Sequence, residues 1–242
     1  MNSELKIKEN KSPIIILHGW GLRGSVYRKL IELLKQKGHK VFAPDLPGFG
    51  HEPLLNNSMK LDDYILFVKN FIAEKKIKKP IIIGHSFGGR VTVKYAFLYP
   101  DEIDKLILTG VPIIRHVTFK KRLGYITAFL GGKIFMVFPE SVQQFFRKVL
   151  YRSIGEWDYY KAGSLKEVFK NIINEDLVKY AKEIKNPVLL IWGSDDKIVP
   201  ASDIKKLKII IPKSKNIILQ NASHKVPYLN ALEFYKKIET FI

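Results

Sequence analysis

Three observations predict an α/β fold in which a doubly wound, mostly parallel sheet carries an inserted helical cap. Short apolar, β-branched runs alternate with helical patterns through most of the 242 residues. Those runs are continuously apolar over four to six residues, the pattern of strands covered on both faces by helices. The alternation stops once, over residues 113–183, and then resumes. Together they predict a doubly wound core, 1–112 and 184–242, interrupted by one helical insertion.

The elements follow in chain order. PIIIL (13–17) is the first strand, followed by a helical stretch at 25–37 that ends at Gly38. KVFAPD (40–45) is the second strand, and a helix is predicted over 61–76. KPIIIGHS (79–86) leads into the apolar-periodic FGGRVTVKYAFLYP, and KLILTG (105–110) follows. After the interruption come NPVLLIWG (186–193), a helix near 201–210, NIILQ (216–220) and a final helix over 227–241. ELKIKE (4–9) is a candidate edge strand. Segment 113–183 reads as several short helices broken by Gly131-Gly132, Pro139 and Gly155. It holds 13 of the 29 aromatic residues in 71 positions, roughly twice the frequency elsewhere, as a cap over the strand ends would. Within it YITAFLGGKIFMVF (125–138) is apolar enough to line a pocket, with Phe129 and Phe135 as candidates, to touch a lipid surface, or to pack on the core.

Composition narrows the function classes. The chain has no Cys, which excludes disulfides, thiol nucleophiles and thiolate metal sites. MNSELKIKENKSP lacks the apolar core of a secretory signal, so cytoplasmic residence is expected. No apolar run approaches the roughly 18 residues of a membrane span, and no stable membrane insertion is expected. The net charge is +18, but 34 of the 41 basic residues are lysines. The charge is spread evenly, +6 over residues 113–183 and +12 over the rest, without a basic run interleaved with aromatics. Nucleic acid is therefore not an expected partner. The expected partner is a small-molecule substrate.

The residues that carry chemistry stand at strand ends. Gly84-His85-Ser86-Phe87-Gly88 lies where an apolar strand gives way to an apolar helix, the context a G-x-S-x-G nucleophile elbow requires. The tight turn forces a strained backbone at the serine, and small neighbours let strand and helix approach. Ser86 then needs a general base near neutral pH. Of six histidines, His224 in NASHKVPYL follows the last strand, on the same sheet edge as Ser86. The base in turn needs a carboxylate to orient it. Asp195 and Asp196, in IWGSDDKIVP, are both placed to supply one; the end of KLIL offers Thr109-Gly110 and no carboxylate. A separate stretch, IIILHGWGLRG (14–24), has glycines spaced G-x-G-x-x-G after a strand, with Asp45 following Gly24 by 21 residues. That spacing suits either a dinucleotide-binding turn or the oxyanion loop of a serine hydrolase.

HGWG (18–21), DLPGFG (45–50), GHSFGG (84–89), GSDDKIVP (193–200) and SHKVPYLNALEFYKKIETFI (223–242) together resemble the α/β-hydrolase superfamily, in its serine-nucleophile branch with a helical cap. The similarity extends over essentially the whole chain. It implies that the acid is Asp196, three residues after Gly193, and that HGWG is the oxyanion loop. Its backbone donors would be the N–H groups of Trp20 and Phe87, whose side chains would also reach the pocket wall. His18 would orient the loop, and Asp45 would be a turn residue. The chain departs from the family pattern at Ser223, where Gly is usual, and at His51-Glu52, which follow DLPGFG. Its sheet also looks shorter than the usual eight strands.

The resulting expectation is a cofactor-free, metal-free serine hydrolase of carboxylesterase type. It would cleave a small ester or related acyl substrate through an acyl-enzyme. C–C bond hydrolysis, lactone hydrolysis and acyl transfer use the same residues on this fold, and a non-catalytic binder would keep the pocket.

Overall fold

The computed structural model of the protein describes residues 11–114, 139–153 and 162–242. Its strands are β1 (Ile14–Leu17), β2 (Val41–Phe42), β3 (Ile81–His85), β4 (Leu106–Thr109), β5 (Val188–Gly193) and β6 (Lys215–Leu219). All pairings are parallel, in the order β2-β1-β3-β4-β5-β6. The chain leaves β1 toward one edge to form β2, then crosses back to lay β3 on β1's other side. The C-terminal ends of β1 and β3 therefore flank the point where winding reverses, the crevice in which open α/β sheets bind ligands.

The helices between them are α1 (Arg28–Gln36), preceded by a 3-10 turn (Gly24–Tyr27), α2 (Leu61–Glu74) and α3 (Phe87–Leu98). Alternate strand residues point to opposite faces, and both faces are sealed. Ile15, Leu17, Ile82, Leu106, Leu108, Leu190 and Trp192 pack toward α2 and α3. Ile14, Ile16, Ile81, Ile83, Ile107, Leu189 and Ile191 pack toward α1 and the C-terminal helices. This is why the strand sequences are apolar without alternation.

Two predicted elements differ in extent. The second strand keeps only two of its six predicted residues. It is an edge strand, and Pro44 has no N–H with which to extend the ladder. The final helix is two helices with a break at Asn230 (φ −109°, ψ 39°), whose carbonyl accepts from the Phe234 N–H and starts the second. ELKIKE lies outside the described residues.

Of the insertion, α4 (Glu140–Ser153), α5 (Lys166–Asn174) and α6 (Val178–Ala181) are described. Val168, Ile172, Leu177 and Ala181 are buried in the same core as the sheet. Two cations on α3 hold this segment. Arg90 donates to the Pro112 carbonyl where the chain leaves the core (2.6 Å) and to the Ile172 and Glu175 carbonyls where it returns (2.7 Å each). One turn on, Lys94 is 2.7 Å from Asp62 and 2.6 Å from Glu175. Burial would pull its ammonium down, but these two carboxylates hold it above its usual range. After β5 come α7 (Asp203–Ile210), then β6, α8 (Val226–Leu229) and α9 (Ala231–Ile238). Among the described residues no helix is long and apolar enough to cross a membrane.

Candidate active site

Ser86 stands between β3 and α3 at φ 51°, ψ −112°, a backbone that costs a non-glycine residue about 1–3 kcal/mol. The surroundings hold it there. Its N–H donates to the Thr109 carbonyl at the end of β4 (3.0 Å), and its carbonyl accepts from Gly89 N–H and Arg90 N–H. Gly88 N–H donates to the His18 carbonyl (2.9 Å), tying the elbow to the loop after β1. A Cβ on Gly88 would collide with the Leu17 carbonyl oxygen, so only glycine permits this approach.

The HGWG loop is braced from beneath by His18, which is fully buried. Its Nε2 accepts from the Leu46 N–H (2.8 Å), so Nδ1 carries the proton and donates to the Gly19 carbonyl (2.9 Å). Burial pushes this imidazole below its ordinary pKa, which keeps that single tautomer. Among the described residues no acceptor pairs with the N–H of Trp20 or of Phe87. The two rings meet edge-to-face, 5.5 Å between centroids.

His224 Nδ1 lies 2.7 Å from Asp196 Oδ2. The other oxygen of Asp196 accepts from Ile198 N–H and Val199 N–H at 2.8 Å each, so the carboxylate is fixed in its turn. Asp195 instead accepts from its neighbour Ser194 Oγ at the surface. Of the two aspartates, Asp196 is the one in contact with His224. The His224 ring also packs 4.9 Å from that of His85, the residue before Ser86.

Sequence reasoning missed one residue that makes this possible. Gly110 follows β4 at φ +58°, and a Cβ there would stand 2.6 Å from His224 Cε1 and 3.3 Å from Asp196 Oδ2. The strand end that offers no carboxylate offers space. Two further aromatics went unread, Phe49 and Phe169, whose rings lie 4.9 Å and 4.8 Å from Trp20. Phe169 sits on α5, so the segment between β4 and β5 contributes to this wall. The Phe87 ring is buried behind Trp20, against Tyr64 as well. Phe129 and Phe135 lie outside the described residues.

Asp45, the residue a dinucleotide reading would place on a ribose, ties two loops together. Its Oδ1 accepts from Gly24 N–H (2.7 Å) and its Oδ2 from His51 N–H (2.9 Å), so both oxygens take part in loop closure. Burial would raise this carboxyl, but the two amide donors hold it below its usual range. Among the described residues no group of three or more His, Asp or Glu is arranged to hold a metal ion.

The comparisons with known proteins agree with this fold. A family profile for the alpha/beta hydrolase fold matches residues 12–152. The chain is 29% identical to the pimeloyl-acyl-carrier-protein methyl ester esterase of Wigglesworthia glossinidia brevipalpis, over 95% of this chain and 93% of that one. Among solved structures it superposes on a thermophilic esterase from Thermogutta terrifontis with TM-score 0.72 at 18% identity, covering 96% of this chain and 89% of the other. It also superposes on an enol-lactonase from Burkholderia xenovorans LB400 with TM-score 0.71 at 21% identity, covering 97% and 92%.

Proposed function

The chain belongs to the α/β-hydrolase fold family, and from that premise we propose that it is a serine hydrolase of esterase type. Ser86 is the nucleophile, His224 the general base and Asp196 its orienting acid. The observation that carries this reading is a strained serine on the β3–α3 elbow whose neighbour His85 packs 4.9 Å from a histidine held 2.7 Å from a buried aspartate. Asp196 accepts from Nδ1–H, which leaves Nε2 of His224 unprotonated and able to take the Ser86 proton. As Oγ attacks the ester carbonyl carbon, negative charge develops on the carbonyl oxygen, and the N–H groups of Trp20 and Phe87 donate to it. Two such donors are worth several kcal/mol of barrier, roughly 10²–10³ in rate for each. His224 then protonates the departing alkoxide, and the acyl group remains on Ser86. Water, deprotonated by His224, releases the acid and restores the serine.

The substrate is a small ester whose acyl part lies against Trp20, Phe49 and Phe169, with residues 113–183 acting as its cap. The named relatives that are esterases support an oxygen ester over other acyl derivatives. Hydrolysis of p-nitrophenyl esters of increasing acyl length, beside Ser86→Ala, tests the assignment. Turnover that disappears in the variant is the expected result, and the preferred chain length measures the pocket. A folded wild-type protein that turns over none of them, and is not labelled by a fluorophosphonate, would make the fold a ligand-binding one instead.

A further inference from the structure

His85 and Tyr27 are buried polar residues that the proposed reaction does not use, yet they lie directly between its two working loops. The Gly19 N–H donates to the Tyr27 hydroxyl (3.3 Å), the hydroxyl is 2.7 Å from His85 Nδ1, and His85 Nε2 is 3.0 Å from the His224 carbonyl oxygen. We propose that Tyr27 and His85 are positioning residues, a hydrogen-bonded relay that locks the oxyanion loop to the loop carrying the general base. This rests on the serine-hydrolase reading and adds to it residues that touch neither substrate nor the reacting atoms.

The chain of bonds has only one self-consistent direction. An amide N–H only donates and a carbonyl only accepts. Tyr27 oxygen must therefore accept from Gly19, and His85 Nε2 must donate to the His224 carbonyl. With Nε2 protonated, a neutral His85 leaves Nδ1 as an acceptor, and the Tyr27 O–H donates to it. His85 is 1% exposed and Tyr27 fully buried. Burial, with His224 and His18 nearby, pushes the imidazole down to about 3, and burial raises the phenol well above its ordinary value. Both stay neutral, and no donor or acceptor in the chain is left over. Tyr228 packs edge-to-face on both, 5.7 Å from Tyr27 and 6.0 Å from His85, and closes the relay off from water.

The relay supplies what the sheet does not. β1, which carries the oxyanion loop, and β6, which precedes the base loop, are separated in the sheet by β3, β4 and β5. Asp196 fixes the ring of His224 but not its backbone. The bond from His85 fixes the backbone carbonyl, and so sets where the imidazole stands relative to Ser86, one residue from His85 itself. Loss of such positioning lowers kcat while leaving substrate binding nearly intact.

Steady-state hydrolysis of p-nitrophenyl butyrate by wild type, Ser86→Ala, Tyr27→Phe, His85→Leu, His85→Gln and the Tyr27→Phe/His85→Leu double variant tests this. Tyr27→Phe and His85→Leu are expected to lose about 10- to 100-fold in kcat with KM within about threefold. The double variant should be no worse than the poorer single one within about threefold, because both break one chain. His85→Gln, whose amide can donate to the His224 carbonyl, should recover most of what His85→Leu loses. Folded variants that keep wild-type kcat, or a double variant that shows the product of the two losses, overturn the relay. Where a variant does not fold, nitrogen-15 NMR of the wild-type ring decides instead. A neutral Nε2–H tautomer of His85 between about pH 5 and about pH 8 is required, and the Nδ1–H tautomer overturns the relay. Wild-type turnover that survives Ser86→Ala sinks the serine-hydrolase reading and the relay together. Turnover that needs Ser86 but ignores Tyr27→Phe sinks the relay alone.

Discussion

Single residues in this protein are constrained by what stands opposite them in space. Gly110 accommodates the His224–Asp196 pair, and at φ +58° any side chain there is strained as well as crowded. Gly110→Ala is expected to cost about 1–2 kcal/mol of stability from the left-handed backbone, and about 100-fold in kcat from displacing His224. Denaturant titration and ester hydrolysis on the same sample separate the two effects. The buried histidines make a second prediction. His85 is neutral when folded, with a pKa near 3, against 6.5 for the free side chain. Unfolding below pH 6.5 therefore takes up a proton that the folded state refuses. The contribution is fully present above 6.5 and is lost as pH falls from there toward 3, at about 1.4 kcal/mol per pH unit at most. His18 adds in the same direction. Asp45, held below its usual range, acts only lower, as pH falls through its folded value. Stability measured against pH should fall less steeply between about 6.5 and about 4 in His85→Gln than in wild type. Equal slopes would mean that the wild-type ring is protonated in the fold.

At the scale of elements, the crossings into and out of the insertion depend on α3. Arg90 holds three carbonyls, one before the insertion and two at its return, from a side chain that is almost wholly buried. Arg90→Met keeps much of the packing but leaves those carbonyls without their donor. A loss of at least about 2 kcal/mol is expected, read as a lower denaturation midpoint. Because α5 carries Phe169 against Trp20, the same variant should also raise KM for the longer esters. Unchanged KM would show that the Trp20 wall is set without help from the insertion. The helix pattern of residues 227–241 was legible, but its break at Asn230 was not. Nothing in local propensity marks it, since asparagine is tolerated within a helix at modest cost.

The whole molecule carries 41 basic against 23 acidic residues, a net charge of +18. Exposed pairs such as Arg28–Glu32 do little to offset it. Self-repulsion of this kind weakens the folded state and is screened by salt. Raising NaCl from about 10 mM to about 150 mM shortens the screening length from roughly 30 Å to roughly 8 Å and should raise Tm by a few degrees. Calorimetry checks this, and a fall in Tm would mean that attractive pairs outweigh the repulsion.

The parallel sheet and the position of Ser86 at a strand–turn–helix elbow were legible in the linear chain. Both are set by residues adjacent in the chain: continuous apolar runs that must be covered on two faces, and glycines around a serine. It also narrowed the acid to two neighbouring aspartates. The pairing of His224 with Asp196 beside Gly110, of Phe169 with Trp20, and of Tyr27 and His85 with the loops after β1 and β6 came only with the folded chain. In the sequence Tyr27 reads as one more residue of a helical stretch, and His85 as the variable position of G-x-S-x-G. Tyr27 and His85 are 58 residues apart, and His85 and His224 are 139 apart. No periodicity records a pairing at such distances, because it exists only once the parallel sheet has gathered its loops along one edge.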